Sequence, residues 1–243
     1  MNLYSPPTKP NQSLIRAIPK QMKESRITVS RSARFYTLGT PSPDIEEVWF
    51  VLHGYGQLAS YFIRHFRPLD NGKRLIVAPE ALNRFYLGEN EQFGRRVGAT
   101  WMTREDREME INDYLGYLNQ VADHALDAVG RRTPITVLGF SQGAITATRW
   151  VTMGRLPAKR FIVWGGHIPH DLDLNTHRPT LNSLDLHVVV GDADYWITPE
   201  RVEKERKRLD DHQIEYTYYP YEGEHRIPPE VFEAFLREIG VGT

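Results

Sequence analysis

The stretch 137–146, VLGFSQGAIT, sets one serine between two glycines where an apolar run gives way to small residues. A Gly-x-Ser-x-Gly match is weak by itself, and its flanks decide the reading. ITVLGF (135–140) comes before Ser141 and reads as a buried strand; QGAITATRWVTM (142–153) comes after it and reads as a helix. A strand that turns at once into a helix thrusts the side chain at the turn out over the sheet edge. Glycines on both sides remove the Cβ atoms that would collide there. Ser141 is therefore the candidate nucleophile, and a strand-turn-helix unit is the first piece of the fold.

The same alternation continues on both sides of it. A preparatory strand is expected around 27–38, and strands at 48–53, 74–78, 135–140, 160–164, 186–190 and 214–219, all short and rich in β-branched and aromatic residues. Most are near-continuous apolar runs, as in strands covered on both faces of a parallel sheet. Between them, 108–129 carries an apolar stripe (Ile111, Leu115, Leu118, Ala122, Ala125, Val129), and a last helix begins at Pro228-Pro229. The fold class is α/β: a mostly parallel central sheet with helices on both faces. Residues 80–103 lack a sustained period and are expected to form a loop insertion, read as a functional loop or partial lid rather than a surface insertion without a role. Residues 1–21 read as a polar arm, and 22–243 as one catalytic domain.

Composition narrows the classes of function. The chain has 243 residues, a formal net charge of −1 and no cysteine, which excludes disulfides, zinc-thiolate sites and a thiol nucleophile. Nothing suggests a nucleic-acid surface. The mixed stretch 200–208 (ERVEKERKR) offers Glu200–Lys204 and Glu203–Lys207 pairs and reads as a solvated helix face. No apolar run is long enough to span a bilayer, and the N-terminus lacks the apolar segment of a signal peptide, so a soluble, cytoplasmic protein is expected.

A serine hydroxyl needs a base within reach and an acid to orient that base. In this topology both come from the C-terminal ends of later strands, in the order serine, acid, histidine. Of the six histidines after Ser141, His187 lies inside a strand and His212 at the wrong edge, while His167, His170 and His177 precede the best acids. His225, in the turn after the last strand, remains as the base. For the acid, GDADYWITP (191–199) offers Asp194, preferred, and Asp192, expected to brace the turn. Oxyanion donors are expected from the N–H groups of Gln142 and of Tyr55, in HGYGQ (53–57). Tyr55, Phe93, Trp101, His167 and Trp196 are candidate pocket walls. The His167-x-x-His170-Asp171 group lacks a further ligand at a suitable spacing and reads as pocket border rather than metal site.

Taken together, HGYGQ, GATWM, GFSQG, GDADYWITP and GEHRI, in this order from about residue 45 onward, resemble the phospholipase/carboxylesterase family of the α/β-hydrolase superfamily, which includes the acyl-protein thioesterases. The resemblance implies an α/β-hydrolase fold and hydrolysis of a small-molecule ester or thioester by Ser141, His225 and Asp194, without metal or organic cofactor. Tyr55, Trp196 and Thr198 depart from the usual pattern, as does the loop GGHIPHDLDL (165–174). They fall around the expected pocket, so the family's acyl-protein and lysophospholipid substrates do not carry over with the motifs. Two other readings share the same residues: an acyltransferase, and a non-catalytic binding module on this fold.

Overall fold

The computed structural model describes residues 22–88, 96–130 and 132–242. Ala33–Thr243 forms one packed unit, and residues 22–32, outside it, carry no helix or strand. The packed unit runs β1 (Phe35–Leu38), β2 (Glu47–Leu52), α1 (Ala59–Phe62) continued by a 3-10 segment (Ile63–Leu69), β3 (Arg74–Pro79), β4 (Asn83–Tyr86), β5 (Val97–Thr100), α2 (Arg107–Val129), β6 (Ile135–Phe140), α3 (Gln142–Met153), β7 (Arg160–Trp164), α4 (Leu174–Asn182), β8 (Asp185–Gly191), α5 (Pro199–Asp211), β9 (Thr217–Tyr221) and α6 (Pro229–Glu238).

Seven strands form the main sheet in the order β1-β3-β2-β6-β7-β8-β9, parallel except for β1. Alternate residues face opposite layers. Val48, Phe50, Leu52, Ile135 and Val137 pack with α2 to α5, whereas Trp49, Val51, Leu138 and Phe140 pack with α1, the 3-10 segment and α6. All six residues of β6 are buried, and this double cover explains why its sequence is continuously apolar rather than alternating.

Four expectations are refined. The first strand is four residues, Phe35–Leu38, set antiparallel to β3, because only these lie opposite β3 backbone; residues 27–34 form none. The last strand is shifted to Thr217–Tyr221, since Ile214 is taken up in the turn that ends α5, its N–H bonded to the Leu209 carbonyl. Within the 80–103 insertion, β4 and β5 pair as a small antiparallel sheet. On α5, Lys207 pairs with Asp211 one turn on, instead of with Glu203.

The link that fixes the site is the seating of α3. A Cβ on Gly143 would overlap the carbonyl oxygens of Leu52 and His53, so the first turn of α3 rests on the C-terminal backbone of β2. By contrast, a Cβ on Gly116, exposed in the middle of α2, would meet nothing within 4 Å. Gly143→Ala should therefore lower the melting temperature by roughly 10 °C, given about 3 kcal/mol for a backbone overlap. Gly116→Ala should raise it slightly, from about 0.5–1 kcal/mol of helix propensity. Calorimetry on both variants decides; equal melting temperatures would contradict the close approach.

Candidate active site

Ser141 stands between β6 and α3 with φ 55° and ψ −119°, a backbone conformation that residues with a Cβ rarely adopt. It is held there from both sides. Its N–H donates to the Trp164 carbonyl at 3.0 Å, and its own carbonyl accepts from the Ala144 N–H at 3.0 Å. Although it occupies the N-cap position of α3, its hydroxyl makes no capping bond. The first turn of α3, whose Gln142 and Gly143 N–H groups precede the first hydrogen bond of the helix, lies directly after it.

The loops after β8 and β9 bring Asp194 and His225 together. His225 Nδ1 lies 2.6 Å from Asp194 Oδ2, which fixes the neutral tautomer with the proton on Nδ1 and leaves Nε2 as the acceptor. The carboxylate is itself anchored: its other oxygen accepts from the N–H groups of Trp196 (2.7 Å) and Ile197 (2.9 Å), and its side chain is wholly buried. Asp192 turns elsewhere, accepting from the Gly223 N–H at 2.9 Å and so tying the two loops to each other. The imidazole of His225 packs on Phe140, the residue before Ser141, with ring centroids 4.8 Å apart. The chain on either side of His225 is pinned by Tyr221, whose hydroxyl lies 2.8 Å from the Glu224 carbonyl and 2.7 Å from that of Arg226, the latter also accepting from the Trp164 indole at 3.0 Å.

The loop after β2 is fixed as firmly. Buried His53 accepts at Nε2 from the Ala81 N–H (3.1 Å), so its proton sits on Nδ1, which donates to the Gly54 carbonyl at 2.8 Å. In a planar trans peptide the carbonyl and the next N–H point in opposite directions, so this bond sets where the Tyr55 N–H is aimed. Burial holds the His53 ring neutral, its pKa depressed to about 4. The Gly54 N–H donates to the Gln57 side chain at 2.7 Å, and Gly56 and Gln57 are stitched to Ala99 of β5. The Tyr55 side chain is 62% exposed and lies against Phe85 of β4. Gln142 uses its side chain to hold the segment after β5: its amide carbonyl accepts from Trp101 N–H and its NH₂ donates to the Met102 carbonyl, at 3.1 and 3.0 Å.

The expected pocket walls separate. Trp101 is 1% exposed and lies in the core, where its indole N–H donates to the His53 carbonyl at 2.8 Å; it supports the β2 loop rather than lining a pocket. Trp196 (60% exposed) and His167 border a cavity of about 310 Å³ between α5 and the sheet. Phe93 lies outside the described residues. His167 stacks on His170 at 4.7 Å, and burial, then the neighbouring His170, lowers its pKa. Asp171 does not join them. Arg107 and Arg149 both bind it (2.8 and 2.7 Å), and the bond from Arg107 above all keeps its carboxyl down at about 2. Among the described residues no group of three or more His, Asp or Glu side chains is arranged to hold a metal ion.

The sequence reading missed His53, Tyr221 and the side chain of Gln142. His53 had a signal, an imidazole ending the otherwise apolar run VWFVLH, where burial without a polar partner would be costly. Tyr221 had none, being one tyrosine among several in 216–221.

A family model described as Phospholipase/Carboxylesterase matches residues 41–240. Among solved structures the chain is similar to acyl-protein thioesterase 2 of Zea mays (15% identity, 86% of this chain and 98% of that one, TM-score 0.66). It is also similar to a phospholipase/carboxylesterase of Dyadobacter fermentans (19%, 87% and 98%, 0.60) and a carboxylesterase of Mesorhizobium loti (17%, 84% and 94%, 0.63). At these identities the likeness is one of fold. No curated protein matches the chain.

Because the folded-state pKa of His53 lies below its ordinary value of 6.5, the unfolded chain takes up the proton first as pH falls. The stability it contributes is present above pH 6.5 and is lost progressively between there and about pH 4, amounting to about 2 kcal/mol by pH 5. His53→Gln should therefore narrow the gap in melting temperature between pH 7 and pH 5. An unchanged gap would mean that His53 is not held neutral.

Proposed function

The chain belongs to the phospholipase/carboxylesterase family, and on that premise we propose that this hydrolase opens carboxylic esters and thioesters through Ser141, His225 and Asp194, within residues 22–243 as a single catalytic domain. The observation that carries the reading is the 2.6 Å contact of Asp194 with His225 Nδ1, on a ring packed against the residue preceding Ser141. With Nδ1 protonated, Nε2 offers its lone pair to the serine hydroxyl, and the buried carboxylate stabilises the imidazolium that forms.

The cycle follows. Ser141 Oγ attacks the carbonyl carbon as its proton passes to His225 Nε2, and the carbonyl oxygen becomes an oxyanion. The Tyr55 and Gln142 N–H groups are the donors assigned to that oxyanion; among the described residues neither is engaged elsewhere. His53 fixes the aim of the first, and the start of α3 that of the second. Collapse expels the alcohol or thiol, protonated by His225, and leaves Ser141 acylated. Water, deprotonated by the same imidazole, then attacks the acyl group and releases the acid. Each step uses groups of the chain and water alone. The partner is a small-molecule ester or thioester, and a cytoplasmic setting is the one we favour; among the described residues no helix is long and apolar enough to cross a membrane.

Ser141→Ala should lower turnover of p-nitrophenyl esters by about 10³-fold or more and abolish labelling by a fluorophosphonate probe. Wild-type rates in this variant would overturn the assignment. Between the two aspartates, Asp194→Asn should lower kcat by roughly 10³–10⁴-fold. Asp192→Asn, which loses only a bond between loops, should cost less than about tenfold. The reverse order would move the acid to Asp192.

A further inference from the structure

Close-packed interiors leave few voids larger than a water molecule, so the cavity of about 310 Å³ beneath α5 needs a cause. It lies in the sequence of that helix. PERVEKERKRLDD has only Val202 and Leu209 as aliphatic residues, and these cannot fill the space above the Val188, Val190, Tyr216 and Tyr218 side chains. The charged face expected to be merely solvated thus has an inner side that roofs a chamber.

One wall of the chamber is the loop after β8 that carries Asp194, and another is the loop after β7. Gly166 lines it and also packs against the backbone of Ser141 and the start of α3, since a Cβ there would meet the Ser141 carbonyl oxygen at 3.1 Å and Ala144 Cβ at 2.6 Å. Trp196 and Ile197 line it too, and their N–H groups are the ones that anchor Asp194. The loop after β7 is held in place at this wall by a partly buried ion pair. Glu205 accepts from the Ile168 N–H (3.0 Å) while Arg208 donates to the Ile168 carbonyl (2.8 Å) and to Glu205 itself. His167 is thereby kept at the rim.

We propose that this chamber receives the apolar part of the ester opened at Ser141, and that it selects a compact aliphatic or aromatic group. At about 30 Å³ per water-sized unit, its 310 Å³ holds about ten heavy atoms, roughly twice the ~150 Å³ that takes a benzene ring. A sixteen-carbon lipid chain does not fit. The assignment rests on the serine-hydrolase reading for its chemistry, but occupancy of the chamber can be measured without it.

Val202→Phe places a ring inside the chamber from α5. Its kcat/KM for p-nitrophenyl 3-phenylpropanoate relative to p-nitrophenyl acetate should fall tenfold or more if the acyl group enters. The ratio for 3-phenylpropyl acetate relative to ethyl acetate falls instead if the alcohol group does. Leu209→Ala, which enlarges the chamber, should shift preference toward longer chains. Binding of 3-phenylpropanoate to the Ser141→Ala protein, read by calorimetry, should weaken tenfold or more when Val202→Phe is added. Ratios within twofold of wild type, together with unchanged binding, would overturn the proposal. If the wild type hydrolyses no ester but Val202→Phe still abolishes 3-phenylpropanoate binding, the hydrolase reading fails and the chamber stands.

Discussion

The close approach of α3 to the C-terminal backbone of β2 is the constraint on which the site depends. Because Gly143 has no side chain, the helix meets the Leu52 and His53 carbonyls directly, and the turn between β6 and α3 must be made in one residue. Ser141 absorbs that turn at φ 55°, a strain of order 1–3 kcal/mol in a residue with a Cβ, and the surrounding backbone bonds hold it there. The same approach sets the start of α3 beside the β2 loop. Ser141 and the N–H groups proposed as oxyanion donors are thus placed by backbone packing, before any side chain is chosen.

Two side-chain networks hold what that contact brings together. On one side, His53, Trp101 and Gln142 join the β2 loop, the β5 segment and the start of α3: the Trp101 indole binds the His53 carbonyl, and Gln142 binds the Trp101 N–H. On the other, Tyr221, Trp164 and Asp192 lock the loops after β9 and β8. In both, buried side-chain donors satisfy loop carbonyls, so the loops keep one conformation although they lie at the sheet edge. Tyr221 shows the cost of doing so, its hydroxyl pKa raised by burial.

The fold, unlike these networks, was legible in the sequence because it follows from periodicity and topological order. Buried parallel strands are continuous apolar runs, and the order of strand ends singles out His225 and favours Asp194. The remainder depends on contacts that neither period nor order encodes. Trp101 was taken for a pocket wall because an aromatic near a turn is equally consistent with lining and with support; only its bond to the His53 carbonyl distinguishes them. The β4–β5 pairing was hidden because each strand has four residues and ten residues separate them. The chamber escaped notice because a charged helix looks the same in sequence whether its inner face is packed or empty.

That last point bears on how such a site can change its substrate. The loops carrying the proposed triad and oxyanion donors are fixed by backbone bonds and buried side chains, each coupled to several others. The roof of the chamber is different: Val202 and Leu209 sit on a helix whose remaining residues are mostly charged and exposed. Replacing either alters a void, at a cost of the order of one aliphatic side chain, without touching Asp194 or His225. The Glu205–Arg208 pair separates the two regions, since it binds the loop after β7 by its backbone and is indifferent to what fills the space beside it. On the proposed function, catalytic geometry and substrate size are therefore set by different parts of the chain: by the approach of α3 to β2 in one case, and by the sparse apolar content of α5 in the other.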